Sequence, residues 1–238
     1  MTATSGTNHE VVQEREGVLC ALAAVSCFAA LDQRALERMA RASVPRRYGA
    51  GQVVLLEGEP SNGLYVVEQG WLKMVKLNAA GREQTVRTIG PGEHFNEISV
   101  FAGTPNLATV VALEPAALWV VARAAVLDLL DEIPGLARTV IEALAHEVVE
   151  MIALVEDLSL RSVEGRLARL LAQQAAGSTV TRPRWATQTE IAARLGTVPD
   201  VLNRAMRRLS DMGLIKVSRR QIEILDKEGL DELAISGG

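Results

Sequence analysis

Aromatic side chains are scarce in this sequence: three Trp, two Tyr and three Phe make up 3% of 238 residues. A core must therefore be assembled from Val, Leu, Ile and Ala, and a hydrophobic fraction of 48% supplies enough of them. Cysteine is limited to Cys20 and Cys27. Two thiols cannot by themselves fill a four-thiolate zinc or iron–sulfur site, and the plain reading is two small buried hydrophobes. On a helix, seven residues apart, they would share one face. No apolar run reaches the roughly 18–20 residues that a membrane-spanning helix needs. The opening MTATSGTNHEVVQEREG is polar and acidic, without the apolar stretch of a secretory signal. A cytoplasmic protein with a frayed tail over residues 1–17 is expected. Catalytic signatures are missing as well. There is no HExxH or CxxC spacing, no phosphate-cradling glycine loop and no nucleophile–base pair. His94 and Glu97 are close in sequence, but on a strand they would be an odd number of residues apart and face opposite sides. An enzyme is not expected.

What the chain does have is an uneven distribution of charge. Its net charge of −4 hides a net −8 over residues 1–160, a net +4 over residues 161–238, and a net +6 within Arg182–Arg220. Positive charge gathered on one segment is the electrostatic footprint of a polyanion partner, with nucleic acid the leading candidate.

Three patterns follow one another along the chain. From Pro45 to about Val121, short Val/Leu/Ile stretches are separated by glycine-containing turns, the mark of an antiparallel sandwich or barrel. The preceding LDQRALERMAR reads as a short amphipathic helix. From Pro134 to about Leu160 the period becomes helical, and Ile141, Leu144, Val148, Met151, Val155 and Leu158 alternate by three and four. That is a heptad seam, with Glu142, Glu147, Glu150 and Glu156 off it. The stripe must be covered, by the chain's own β domain or by a second copy in parallel; both can happen on different faces. From Arg161 onward come helices, a loop at GSTVTRP, and a hairpin in LIKVSRRQIEIL with a cationic turn.

The stretch TQTEIAARLGTVPDVLNRAMRRLSDMGLI carries the sharpest information. Two helices joined by GT fit it, with Ile191, Leu195, Leu202 and Ala205 between them and the small Ala192 permitting close approach. Gly196 stands where a left-handed backbone is needed. Thr197 is placed to cap the second helix, with Asp200 closing a capping box, and Pro199 falls in the first turn, where its missing N–H costs nothing. This predicts a helix-turn-helix, whose second helix enters the major groove. Val201, Leu202, Ala205, Met206 and Leu209 would bury; Asp200, Asn203, Arg204 and Arg207 would face out. Asn can bridge adenine and Arg guanine through paired hydrogen bonds. Arg208, Arg219 and Arg220 would meet phosphates, and Thr187, Gln188, Thr197 and Pro199 complete the expected DNA-facing set.

The order of these parts resembles the bacterial CRP/FNR family of transcription regulators from about Cys27 to Leu233. The matching pieces are GQVVLLEGEPSNGLYVVEQGWLKMV, GPGEHFNEISVF, VEGRLARLL and the helix-turn-helix itself. The resemblance implies an α+β fold: a cyclic-nucleotide-binding-like β-roll over residues 18–133, a dimerisation helix over 134–160 and a winged helix-turn-helix over 161–238. It implies a homodimer on a palindromic double-stranded operator, acting on RNA polymerase, away from any membrane. A sensor acting through a protein partner is the competing expectation.

Departures from the family pattern bear on the effector. Cyclic-AMP-binding members place an Arg and a hydroxyl residue where this chain has Leu107 and Ala108, and two hydroxyl residues where it has Met151 and Ile152. Glu97, the ribose-binding acid of such members, is retained. An anion buried without a cation costs several kcal/mol, on the order of the Born penalty after relaxation, so cyclic AMP is not expected. Nor is an iron–sulfur cluster, which takes four cysteines in the oxygen-sensing members. TPNLAT and VEDLSLRS resemble the nitric-oxide-responding branch. That leaves heme as a cofactor candidate, with His9, His94, His146, Cys20 and Cys27 as possible ligands, beside a pocket that its own side chains could equally fill. The reading helix departs too: Pro199 cannot bond a base through its side chain, so the operator is expected to differ from the family pattern.

Overall fold

The run Leu64–Val67 is buried at every position, so the strand that holds it is covered on both faces. This is β3 (Leu64–Gln69), and it lies inside a four-stranded sheet of order β1-β8-β3-β6, with β1 (Ser43–Tyr48), β8 (Ala116–Val121) and β6 (His94–Phe95). A second sheet has the order β2-β7-β4-β5, from β2 (Val53–Leu55), β7 (Thr109–Ala112), β4 (Leu72–Leu77) and β5 (Glu83–Ile89). The two-residue period of a strand divides the Leu64–Val67 run. Tyr65 and Val67 join Leu72, Val110 and Leu118 in one core, and Leu64 and Val66 join Leu22, Phe28, Met39 and Leu129 in another. Each fully buried Leu, Val or Phe contributes on the order of 1.5–3 kcal/mol, so a scarcity of aromatics is no obstacle.

This computed structural model describes residues 16–28, 31–175, 177–218 and 221–236. By their contacts they form two compact units, Met1–Val75 with Arg87–Glu147, and Lys76–Val86 with Val148–Gly238. The first unit opens with a helix over residues 16–24 (α1) and a turn of 3-10 helix at Ser26–Phe28. Glu16 and Gly17 are thus helical, which corrects the boundary of the expected tail; residues 1–15 lie outside the described residues. The chain leaves the α-helix at Val25, so Cys20 and Cys27 do not share a face: Cys20 is exposed and Cys27 buried. LDQRALERMAR forms α2 (Gln33–Arg41), capped by Asp32, whose carboxylate accepts from the Ala35 N–H at 2.8 Å. Pro45 sits on the edge strand β1, where its missing donor breaks no internal ladder. Gly63 has φ +145°, and a Cβ there would stand 2.1 Å from the Val121 carbonyl oxygen, so no side chain fits.

After β6 the chain turns into α3 (Glu97–Ala102) through Asn96, which has φ +73° and is held by Ser61 and the Gly63 carbonyl. A helix that the sequence reading did not mark, α4 (Arg123–Glu132), follows β8, and α5 (Pro134–Leu160) follows it. The second unit contains α6 (Val163–Gln174), α7 (Gln188–Arg194), α8 (Pro199–Asp211) and α9 (Lys227–Ser236) around a core of Leu167, Leu171, Leu202, Leu209 and Leu230. Its sheet has the order β10-β11-β9, with β10 (Ile215–Val217), β11 (Gln221–Ile224) and β9 (Thr179–Thr181). GSTVTRP is therefore not all loop. Thr179–Thr181 pairs with β11 and buries Val180, a strand too short for periodicity to announce.

Candidate DNA-reading surface and sensor recess

Helix α7 is capped by Thr187, whose hydroxyl accepts from the Glu190 N–H at 3.2 Å. It ends in Gly196, which has φ +63°; a Cβ there would lie 2.6 Å from Leu158 and 2.7 Å from Gln84. The carbonyls of this turn are held by residues 82 and 84. The Arg82 guanidinium donates to Gly196, and Gln84 donates to Arg194 at 3.4 Å. The expected capping box at the next helix does not form. The Thr197 N–H is bonded to the Ala192 carbonyl at 2.9 Å, so Thr197 still belongs to the turn. Val198 occupies the cap position without a side-chain bond, with Pro199 first in α8. Asp200 is then one position too early to close a box.

Helix α8 buries Leu202, Ala205, Met206 and Leu209, while Val201 is half-buried. Asp200, Arg204, Arg207 and Arg208 are exposed on the opposite side. Asn203 is half-buried and donates to the Gln188 side chain at 3.3 Å, so the two residues orient each other. Arg208 lies 3.4 Å from Glu164. Thr187 and Gln188 are exposed at the start of α7, and Thr197 and Pro199 are half-buried. Arg219 and Arg220 fall outside the described residues.

On α5 the heptad stripe forms with a shifted phase. Ile141, Val148 and Val155 are 66%, 57% and 63% exposed, and Ile152 is 63% exposed beside them, with Ala145 exposed in the same column. Leu144 instead packs on the core of the first unit, and Leu158 lies against Gly196. Met151, in the column of those two, is 37% exposed. The outer stripe therefore runs through 141, 145, 148, 152 and 155, and Leu144 is not part of it.

A recess opens in the first unit between β6, α3 and the first half of α5. Cys27, Phe28, His94, Glu97, Leu144 and Glu147 are among its walls. His94 and Glu97 do not face opposite sides, as strand spacing would require. The left-handed turn at Asn96 ends the strand between them, and His94, Glu97 and Glu147 each bring a donor atom within 4.8 Å of the others. Glu97 is 5% exposed, and its Oε2 is buried without a hydrogen-bond partner. Burial, then the adjacent Glu147 carboxyl, pushes the Glu97 carboxyl up to about 8. Burial, then Arg87, lowers the His94 imidazole below its ordinary value. Burial pushes the Cys27 thiol up to about 12. Arg87 bonds Glu147 at 2.9 Å and lies 3.5 Å from Glu93. Sequence reading placed Glu147 only off the seam and did not connect it with His94 or Glu97.

Residues 45–132 match the Cyclic nucleotide-binding domain family, and residues 165–233 match the Crp-like helix-turn-helix domain family. The "Probable transcriptional regulator flp" of Lacticaseibacillus casei is 30% identical over 186 residues, covering 76% of this chain and 83% of that protein. The chain belongs to the CRP/FNR family of transcription regulators. The CRP-like cAMP-activated global transcriptional regulator of Mycobacterium tuberculosis is 25% identical over 215 residues, covering 88% of this chain and 96% of that one. In fold, the CRP/FNR chain is similar to FixK2 of Bradyrhizobium japonicum, with a TM-score of 0.70 at 20% identity over 80% of this chain and 96% of that one. The relatives from Lacticaseibacillus casei and Mycobacterium tuberculosis are both named as transcriptional regulators. Among the described residues no helix is long and apolar enough to cross a membrane.

In this CRP/FNR protein the residues expected around an effector do not all meet at the recess. Leu107 is 49% exposed, Ala108 is buried, and neither lines it. Met151 and Ile152 belong to the other unit and are exposed. The loop carrying Leu107 is bonded to its own protein: Asn106 accepts from the Gly58 N–H at 2.9 Å, and its N–H donates to Glu59 at 2.9 Å. Of the expected heme ligands, His9 lies outside the described residues. His146 is exposed, with Nδ1 2.8 Å from the Glu142 carbonyl, Cys20 is exposed, and His94 and Cys27 reach the recess. The recess holds about 280 Å³, open mouth included. The space inside it that a water could occupy is about 10 Å³, about one water's worth and far below the roughly 300–1,000 Å³ of small-molecule sites, so a heme does not fit without separating α5 from the β-roll.

Proposed function

We propose that the protein is a homodimeric, sequence-specific DNA-binding regulator that reads a palindromic operator with α8 and recruits or blocks RNA polymerase in the cytoplasm. The observation that carries this reading is the two-sided character of α8. Its apolar side is fixed in the core of the second unit, while Asp200, Arg204 and Arg207 stand exposed at helical spacing. Arg204 reads guanine, Asp200 accepts from cytosine, and the Gln188–Asn203 pair presents an amide edge suited to adenine. Thr187, Arg208, Arg219 and Arg220 hold phosphates and set register. The working segments are a β-roll over 18–133, a pairing helix over 134–160 and the DNA-binding part over 161–238. The outer stripe of α5 supports pairing between two copies. The joint at Leu160–Val163 is where a signal shifts the population between DNA-competent and incompetent dimers.

The signal is not cyclic AMP. The segment from Glu97 to Ala108 contains no Lys or Arg to meet a cyclic phosphate, and Leu107 stands in the place of the cation. The test is operator selection followed by fluorescence anisotropy on operator and random duplexes. Arg204→Ala is expected to lower operator preference by about 1–3 kcal/mol, roughly five- to 150-fold. Arg219→Ala is expected to weaken both duplexes alike. Equal losses on both duplexes from both variants would overturn the assignment of α8, and a protein without operator preference would favour a protein-partner output.

A further inference from the structure

The His94–Glu97–Glu147 cluster has no role in the reading above, and its geometry is that of a ligand set. Three donors converge from three elements: an imidazole from β6, a carboxylate from the first turn of α3, and a carboxylate from α5. One atom from each lies within 4.8 Å of the others. Bonds of about 2.0–2.2 Å from His or carboxylate to zinc place the donors of a tetrahedral site about 3.3–3.6 Å apart. Side-chain rotations that move the donors by about 1 Å therefore close the set. Glu97 is 5% exposed, lines the recess and has one oxygen, Oε2, buried without a hydrogen-bond partner. A buried polar atom without a partner costs roughly 1–3 kcal/mol.

Charge counting agrees with the geometry. Glu93, Glu97 and Glu147 carry three negative charges when ionised, and Arg87, bonded to Glu147 at 2.9 Å and 3.5 Å from Glu93, supplies one positive charge. A divalent ion supplies the two that are missing. The surroundings also orient the ligands. Phe28 lies against the His94 ring with centroids 6.2 Å apart, and Arg87 fixes the Glu147 carboxylate, as outer partners do in metal sites. One imidazole with two carboxylates suits zinc, iron(II), cobalt(II) or manganese(II), and the imidazole disfavours calcium and magnesium.

We propose that His94, Glu97 and Glu147 form a binding site for one divalent transition-metal ion, which fastens the first half of α5 to the β-roll. The ion completes its coordination with water. Cys27 lies on the recess wall but outside the donor cluster and is not a ligand.

The test uses the full chain, stripped with EDTA and titrated with Co²⁺ and Zn²⁺ by calorimetry and visible absorption, with no DNA present. It therefore stands or falls separately from the operator reading. One ion per chain is expected, with cobalt d–d bands and no thiolate-to-cobalt charge transfer. His94→Gln and Glu97→Gln should each weaken binding at least about tenfold. His146→Ala, which removes an exposed imidazole outside the recess, should leave it unchanged. Absence of a one-per-chain site, a thiolate band, or wild-type affinity in the His94 and Glu97 variants would overturn the proposal. Should those variants lose their native far-UV circular dichroism, the wild-type stoichiometry and cobalt spectrum decide alone.

Discussion

Glu97 sits where two physical demands oppose each other. Its carboxyl is buried beside a second carboxyl, and both effects favour the protonated form. In the folded metal-free protein the proton stays until about pH 8, whereas an unfolded Glu releases it near about 4.3. Between those values the folded state binds more protons, so stability falls as pH rises. The contribution is whole below the unfolded value and gone above the folded one. His94, Glu147, Arg87, Glu93 and Cys27 face the same space. In Glu97→Gln these neighbours remain while the acid is lost. We expect urea midpoints in EDTA to fall from pH 5 to pH 8 in the wild type, with a slope of up to about 1.4 kcal/mol per pH unit. Glu97→Gln should flatten that fall; equal slopes would refute the account. At this scale the sequence was a poor guide. PGEHFNE reads as a turn region, and only on a strand would spacing place His94 and Glu97 back to back. The clue was Asn96, one of the few residue types that enter the left-handed region without glycine's freedom.

At the scale of elements, α5 was legible in its extent and its repeat but not in its phase. Both columns, 144-151-158 and 145-152, complete a three–four alternation with 141-148-155. Only the packing of Leu144 onto the first unit's core decides between them. A pair of substitutions separates the two faces. Val148→Asp places a charge in the exposed stripe and should give monomers with a melting temperature close to that of the first unit in the wild type. Leu144→Asp buries a charge among apolar side chains and should cost several kcal/mol, roughly the price of an unpaired buried ion. Sedimentation velocity and thermal melts distinguish these outcomes. A dimeric Val148 variant, or a monomeric Leu144 variant with unaltered stability, would return the seam to the other column. The short strand β9 and helices α4 and α9 were not legible, because a three-residue strand or a helix of about ten residues gives periodicity little length to act on.

For the whole molecule, charge is partitioned along the chain, with a net +6 over residues 182–220 inside a chain of net −4. Positive charge gathered on that segment favours a polyanion there. Operator affinity is therefore expected to fall steeply with salt. A dimer making about 6–10 phosphate contacts would lose roughly 10³–10⁵ in affinity between 50 and 200 mM. Anisotropy titrations across that range measure the slope, and a flat response would exclude phosphate contacts as the main source of binding. The helix-turn-helix was readable because base edges and tight turns demand particular residues at fixed offsets. The recess was not, because its three donors are separated by up to 53 residues and meet only after folding.

The turn between α7 and α8 does not depend on its own stretch of chain alone. Its carbonyls are held by Arg82 and Gln84, more than a hundred residues earlier. In evolutionary terms the second unit is not a cassette that recombination can move as one continuous piece. An exchange of the C-terminal residues alone would bring a reading head whose turn meets a foreign hairpin. Residues 82 and 84 are therefore expected to change together with residues 194–196 as lineages diverge, however far apart they lie in the gene.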